Sequence, residues 1–233
     1  MINKLAIFRR VSRISIISGN GIGRFTQMAS VSEWIAREYF EMLGFMVIQP
    51  CKYSVGGRQK RIEEETDLII FNPLAANHVL PQSLLCTTAD LKKIARAVVG
   101  VYGWHSERFY PAMLENLPEI VRFAGDDSVK IAARRLDNNQ IAKILCLPQL
   151  PLAQKLKEET LCILKSKGID GIVEFRTMLA GIIKGVDKNR NYEKSDVLQI
   201  IRILKKYDLF KEDQLELFTG KRTGQRRKSS AES

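Results

Sequence analysis

Four short apolar runs, separated by segments with helical spacing, constrain what this chain can fold into. The runs are rich in Val, Ile and Leu and lie at 45–53, 66–71, 97–102 and 141–147. Short apolar runs bounded by Gly, Pro and Asn are typical of buried strands. The pattern therefore predicts four strands of one sheet, with 97–102 central, 66–71 beside it and 45–53 on the far side of 66–71.

Helical segments precede the first run and separate the third from the fourth. In "SVSEWIAREYFEMLGF", Tyr39 and Phe40 fall on an apolar side, Ser32 is a candidate N-cap and Gly44 a candidate end. A second helical stretch follows Phe109. The resulting order, α-β-β-β-α-β, predicts an α/β fold, and the remainder as far as residue 218 has the pattern of helices alone.

This organisation divides the chain into four parts. A basic, poorly ordered N-terminal extension is expected at 1–27, which resembles a transit peptide or an upstream extension of the true start. A core is expected at 28–150, a helical extension at 151–218 and a disordered basic tail at 219–233. The extension includes "GIDGIVEFRTMLAGIIKGV" and "NYEKSDVLQIIRILKKY", both interpreted as helices.

Positive charge is concentrated at the two ends. The net charge is +11, of which residues 1–32 carry +5 and residues 219–233 carry +4, leaving +2 for the rest. Basic ends favour nucleic acid or another anionic surface, or only increase solubility. The longest apolar stretches are too short to cross a bilayer, so we expect a soluble, cytoplasmic protein without a membrane partner.

Zinc and dinucleotide sites are disfavoured by spacing. The four cysteines, Cys51, Cys86, Cys146 and Cys162, form no CxxC pair, and the chain has two histidines. Cysteines in apolar runs are expected to be buried free thiols. The "GNGIG" segment has its glycines at 19, 21 and 23, which is GxGxG and lacks the spacing of a dinucleotide loop.

Four residues in the first half of the chain have positions that are relevant to a functional site. Glu33 lies eleven residues before Gly44, Asp67 opens "DLIIF", and "VVGVY" places Gly100 and Tyr102 two residues apart on the third strand. With the α-β-β-β-α-β order, residues 31–148 resemble the restriction-endonuclease-like core of the PD-(D/E)xK nuclease superfamily.

The resemblance implies a site at one edge of the sheet. In that superfamily a helix glutamate, an aspartate at the second strand and an acid-x-lysine on the third strand gather there, and the carboxylates hold Mg²⁺. The resemblance places Glu33 and Asp67 at the two carboxylate positions, Gly100 at the acid and Tyr102 at the lysine. Otherwise, Glu33 is a solvent-facing acid near a helix N-terminus and Asp67 a turn residue.

The third strand lacks the acid and the lysine that the nuclease superfamily uses for catalysis. Glycine cannot bind a metal, and tyrosine supplies no ammonium group to stabilise charge on the phosphate. We therefore expect an inactive protein without a cofactor. The alternative is an active, Mg²⁺-dependent endonuclease with a rearranged site that uses other acidic or basic residues, for which the candidates are Glu63, Glu64, Glu65, His105, Glu107 and Arg108.

Aromatic and charged residues are concentrated in "GWHSERF", directly after the third strand. Trp104 and His105 are candidates for stacking on a base, and Arg108 for pairing with a phosphate. The alternative interpretation is structural. In it Trp104 anchors the junction between strand and helix, Glu107 pairs with Arg108, and His105 caps a helix.

The sequence thus predicts a catalytically inactive restriction-endonuclease-like protein with a residual role in DNA binding or assembly. Besides the rearranged nuclease, a further alternative is an interaction module that does not bind DNA. In that case the C-terminal helices would contact a protein partner or a second copy of the chain.

Overall fold

The fold was analysed in a computed structural model, which describes residues 31–50, 66–103, 105, 108–116 and 118–210. The predictions for the N-terminal extension, for the basic tail, and for Cys51 and Glu63–Glu65 lie outside these residues.

Within the described ranges the chain forms seven α-helices, one 3-10 helix and five strands. The helices are α1 Val31–Met42, α2 Thr88–Leu91, α3 Pro111–Asn116, α4 Asp126–Leu136, α5 Gln154–Ser166, α6 Phe175–Gly185 and α7 Asp196–Lys206, and the 3-10 helix is Pro118–Ala124. The strands are β1 Met46–Ile48, β2 Leu68–Phe71, β3 Arg96–Val101, β4 Ala142–Leu147 and β5 Gly171–Glu174.

The five strands form one mixed sheet in the order β1-β2-β3-β4-β5. The first three strands are antiparallel neighbours, with Leu68 of β2 opposite Val99 of β3. From β3 onwards the strands are parallel, and Gly100 lies opposite Leu145 of β4. Parallel neighbours need a crossover connection, and helices supply it between β3 and β4 and between β4 and β5.

Alternating strand residues divide the core into two layers. On the first face of the sheet Leu68, Val99 and Cys146 pack against α1, α6 and α7. On the second face Val98 and Leu145 pack against the other layer, formed by α3, the 3-10 helix, α4 and α5. This two-residue alternation is what a sheet buried on both sides requires.

The predicted arrangement of four strands is confirmed. β3 lies between β2 and β4, and β1 pairs with the other edge of β2. Gly44 ends the α1 turn with a φ of +93°, a backbone conformation that favours glycine. Together the elements give a mixed α/β fold.

The prediction that residues 151–218 contain helices alone is wrong at β5. Gly171–Glu174 pair in parallel with β4 and extend the sheet by one strand, so this segment shares the sheet of residues 28–150. A strand of four residues cannot be distinguished from a helical turn by periodicity, and α6 begins at the next residue. The "GIDGIVEF" segment was therefore interpreted as part of a helix.

The outer edge of β5 is covered by a loop segment. The Ile172 amide donates to the Leu84 carbonyl, and the Cys86 amide donates to the Ile172 carbonyl over 2.9 Å. A Cβ atom added to Gly171 would lie 2.6 Å from the Cys86 sulfur, so this close approach requires glycine. Cys86 and Cys146 are buried free thiols as predicted, whereas Cys162 is exposed.

A lysine joins the last two helices. The Lys205 ammonium of α7 donates to the Ile183 carbonyl at 2.8 Å and to the Val186 carbonyl at 2.6 Å, at the end of α6. None of the helices in the described ranges is both long enough and apolar enough to cross a membrane.

Candidate functional site

The first turn of α1 and the ends of β2 and β3 meet at one edge of the sheet. Glu33 lies in that first turn, and Asp67 is the residue before β2. Asp67 accepts a hydrogen bond from the Val101 amide at the end of β3, with an oxygen–nitrogen distance of 2.6 Å. Both residues with predicted carboxylate roles are thus placed near the end of the third strand.

Burial dominates the electrostatics of Asp67. The pKa of its carboxyl is raised to about 7, because desolvation and, to a smaller extent, the negative charge of Glu33 raise it by more than the hydrogen bond from the Val101 amide lowers it. A bound divalent cation would favour the ionised form. Burial and the like charge of Glu33 therefore both favour the protonated form of Asp67 in this arrangement.

Gly100, at the position of the missing acid, is covered by an aromatic ring. A Cβ atom built on Gly100 would lie 2.3 Å from Cδ1 of Phe123 and 2.7 Å from its Cγ. Phe123 belongs to the 3-10 helix and is buried. Since a side chain at position 100 would enter the space of this ring, the site has no volume for a carboxylate there.

A shift of the alignment by one residue does not restore the chemistry. The neighbouring same-facing pair on β3 is Val99 and Val101, and both belong to the core of the first face or pack against it. Arg96, at the start of β3, is the one ionisable residue of the strand. The third strand therefore lacks both the carboxylate and the lysine.

Tyr102, at the position of the missing lysine, belongs to the aromatic packing of the second face. Its ring meets Phe109 edge to face, with 5.3 Å between the centroids. Its amide donates to the Cys146 carbonyl over 2.8 Å and extends the ladder between β3 and β4.

The turn after β3 is packed closely against α1. A Cβ atom on Gly103 would lie 2.3 Å from the Ser32 hydroxyl oxygen, and His105 Nε2 is 3.1 Å from that same oxygen. The His105 ring also meets Phe175 edge to face, with 4.5 Å between the centroids. Ser32 was predicted as an N-cap, but it lies within α1, where its hydroxyl contacts this turn.

The His105 side chain makes these two contacts and is nevertheless exposed to solvent. Arg108 is half-buried and lines a crevice beside His105. Trp104 and Glu107 lie outside the described residues, so their predicted base contact and ion pair stay predictions.

The described residues contain no group of three or more His, Cys, Asp or Glu side chains that could hold a metal ion. Glu33 and Asp67 supply two carboxylates, and the third position of the motif is occupied by glycine and Phe123. Among the residues that the structure describes, the donor set at this edge therefore does not fit a Mg²⁺ site of the kind that the family resemblance implies.

The sequence predicts no site role for Phe123 or Phe175, and it predicts Ser32 only as an N-cap. One available signal was Gly100 itself, because an isolated glycine inside a β-branched strand often marks a close approach by another group. The identity of that group depends on a contact between β3 and a helix more than twenty residues later in the sequence.

Comparisons with protein-family models, with curated proteins and with solved structures find no match to this chain.

Gly100→Ala should destabilise the fold because the new methyl group overlaps the Phe123 ring. We expect a loss of about 1–3 kcal/mol in the free energy of unfolding, the usual cost of overpacking a core. Chemical denaturation of Gly100→Ala, Phe123→Leu and the double variant measures the coupling. The destabilisation by Gly100→Ala should be smaller when Phe123 is also replaced by Leu. Equal destabilisation with and without Phe123→Leu would show that Gly100 and Phe123 are not in contact.

Asp67→Asn should alter how stability depends on pH. The folded chain retains a proton on Asp67 up to about pH 7, whereas the unfolded chain releases it near the ordinary pKa of 3.8. The folded state thus binds more protons between these values, and the free energy of unfolding falls as pH rises through them. Asparagine is uncharged and still accepts from the Val101 amide.

The variant should therefore gain stability relative to the unsubstituted protein between pH 5 and pH 8, by about 2 kcal/mol. Urea denaturation of both proteins at the two pH values measures this difference. Parallel stability curves would show that Asp67 ionises normally in the folded chain.

Proposed function

We propose that this chain is a restriction-endonuclease-like protein that no longer hydrolyses DNA and acts by binding it. The observation that carries the proposal is the Phe123 ring against Gly100, which fills the place of the third-strand acid. Without that carboxylate and the lysine, neither a metal-activated water nor a charge stabiliser for the phosphate is available.

The arrangement of the sheet supports the family part of the proposal. An initial helix, three antiparallel strands and a helical crossover to a parallel fourth strand follow the α-β-β-β-α-β order. Glu33 and Asp67 lie at the edge where that superfamily keeps its carboxylates, close enough for the charge of Glu33 to act on Asp67.

Charge supports the binding part of the proposal. The strongly basic ends of the sequence favour phosphate contacts, which release counterions and make affinity depend on salt. Arg108 is the described residue of the "GWHSERF" segment that can pair with a phosphate, whereas His105 already contacts Ser32 and Phe175.

An interaction module without DNA binding is the second candidate. Its support is an exposed apolar stripe on α7, where Ile200, Ile203 and Tyr207 are 57%, 44% and 75% exposed. Residues spaced in this way share one side of a helix and form a surface on which another protein can pack.

Supercoiled plasmid incubated with the full-length protein and Mg²⁺ or Mn²⁺ should stay intact on a gel. Asp67→Ala should behave identically, because the site has no activity to lose. Mg²⁺-dependent nicking that disappears in Asp67→Ala would establish the rearranged nuclease instead.

Fluorescence anisotropy with a labelled duplex should show binding that weakens steeply with salt. Replacing Arg226, Arg227 and Lys228 by Gln should reduce the slope of log affinity against log salt by up to about 3, since each phosphate contact contributes roughly 0.9. Replacing the acidic tail residue Glu232 by Gln is the control and should not reduce the slope. Absence of binding at low salt would favour the interaction module.

A further inference from the structure

The exposed apolar stripe of α7 has the spacing of a helix-pairing surface. Ile200, Ile203 and Tyr207 are exposed along one side of the helix. Asp196, also exposed, continues this line one turn towards the N-terminus. Steps of four, three and four residues amount to one stripe residue every 3.5 positions or so, which is the repeat along which two helices pack in a coiled coil.

The opposite side of α7 is fixed to the rest of the protein. Leu198 and Ile201 are buried in the core of the first face. The Ser195 hydroxyl accepts a hydrogen bond from the Leu198 amide over 3.2 Å and caps the first turn. Near the other end of the helix, Lys205 donates to two carbonyls at the end of α6. Because both ends are held, the stripe is a preformed surface, and binding to it costs little conformational entropy in α7.

The two ends of the stripe carry opposite charges. Asp196 lies in the first turn of α7 and Lys206 in the last turn, and both side chains are exposed. Neither forms an ion pair with another residue of the described ranges. A parallel pair of such helices would bring like charges together, whereas an antiparallel pair brings Asp196 of each copy to Lys206 of the other and also opposes the helix dipoles favourably. The stripe is thus complementary in charge to itself.

A two-fold axis between Ile200 and Ile203 brings the stripe residues into register. Ile200 of one copy then faces Ile203 of the other, so that apolar side chains meet at the centre. Asp196 of one copy faces Tyr207 of the other, and the tyrosine hydroxyl can donate a hydrogen bond to the carboxylate. A two-fold contact of this kind uses the same surface on both copies, which is the commonest arrangement in homodimers.

We infer that α7 packs antiparallel against α7 of a second copy of this chain and so forms a two-fold symmetric dimer. Ile200, Ile203 and Tyr207 form the centre of the interface, and Asp196 and Lys206 pair across its ends. A contact of one short helix per copy is small, and small interfaces are typical of reversible association. This inference goes beyond the proposed DNA binding and gives the second candidate function, the interaction module, a specific partner.

Sedimentation velocity of the full-length protein over a range of micromolar concentrations tests the inference. The unsubstituted protein should shift from monomer to dimer as its concentration rises. Ile203→Glu should stay monomeric over the same range, because two carboxylates would lie unpaired against Ile200 at the centre of the interface. Leu152→Glu is the matched control, since it makes the same type of change at a residue between β4 and α5 that is 82% exposed, and it should dimerise normally.

Charge reversal tests the antiparallel arrangement. Asp196→Lys and Lys206→Glu should each weaken the dimer at least about fivefold, because two like-charge contacts replace two opposite-charge contacts. The double variant should regain most of the lost affinity, since the charges are again opposite. A double variant that is weaker than both single variants would show that the two residues do not meet and would overturn the inference. Circular dichroism and thermal unfolding verify that each variant is folded.

A full-length protein that is monomeric at every concentration would overturn the inference. Lowered stability of monomeric Ile203→Glu would then assign the stripe to another segment of the same chain, and unchanged stability would leave it to a different protein. A dimer that persists in Ile203→Glu would place the interface elsewhere and would equally overturn the inference. The DNA-binding proposal is decided separately, because its anisotropy test uses variants of the basic tail that leave α7 unchanged.

Discussion

The burial of β3 on both faces of the sheet is the constraint on which the rest of the structure depends. Ala97, Val98 and Val99 are fully buried, between α1 on one face and the 3-10 helix on the other. A charged side chain in such a strand is tolerated only where water, a metal or a partner charge compensates its desolvation. At Gly100 the Phe123 ring occupies the space next to the strand. A charged side chain there would therefore have no room for a partner that compensates its desolvation.

Asp67 shows what happens to a carboxyl group at the end of this buried strand. It has the Val101 amide as a hydrogen-bond donor and Glu33 as a nearby like charge. One amide does not offset burial and repulsion together, so its pKa rises to about 7. The proposal of lost hydrolysis does not use this shift, because it depends on the Phe123 ring that fills the space beside Gly100.

The sequence was sufficient to predict the strands β1 to β4 and their neighbours, but not the edge strand β5. The runs at 66–71, 97–102 and 141–147 were recognisable because each is apolar and bounded by residues that break helices. β5 has four residues and passes directly into α6, so its pairing with β4 depends on tertiary contacts that no local pattern encodes.

For the candidate site, the sequence was sufficient to predict the two carboxylates but not the side chains that pack around them. The resemblance to the nuclease superfamily implies the positions of Glu33 and Asp67, which the structure places in the first turn of α1 and directly before β2. The contacts of His105 with Ser32 and Phe175 join segments far apart in sequence, and they could not be inferred from "GWHSERF" alone. The same is true of the Phe123 ring that explains Gly100.

Gly103 and His105 lie between two parts of this edge of the sheet. One part, next to α1, is filled by side chains, and the other contains the crevice. On one side these residues pack on Ser32, the neighbour of Glu33, and on the other they pack on Phe175, which lines the crevice. The β2–β3 side is filled by buried side chains, whereas the opposite exits of the chain after β4 and β5 leave a cavity. The cavity at this edge is therefore created by the strand connections and does not depend on the residues at Asp67 and Gly100.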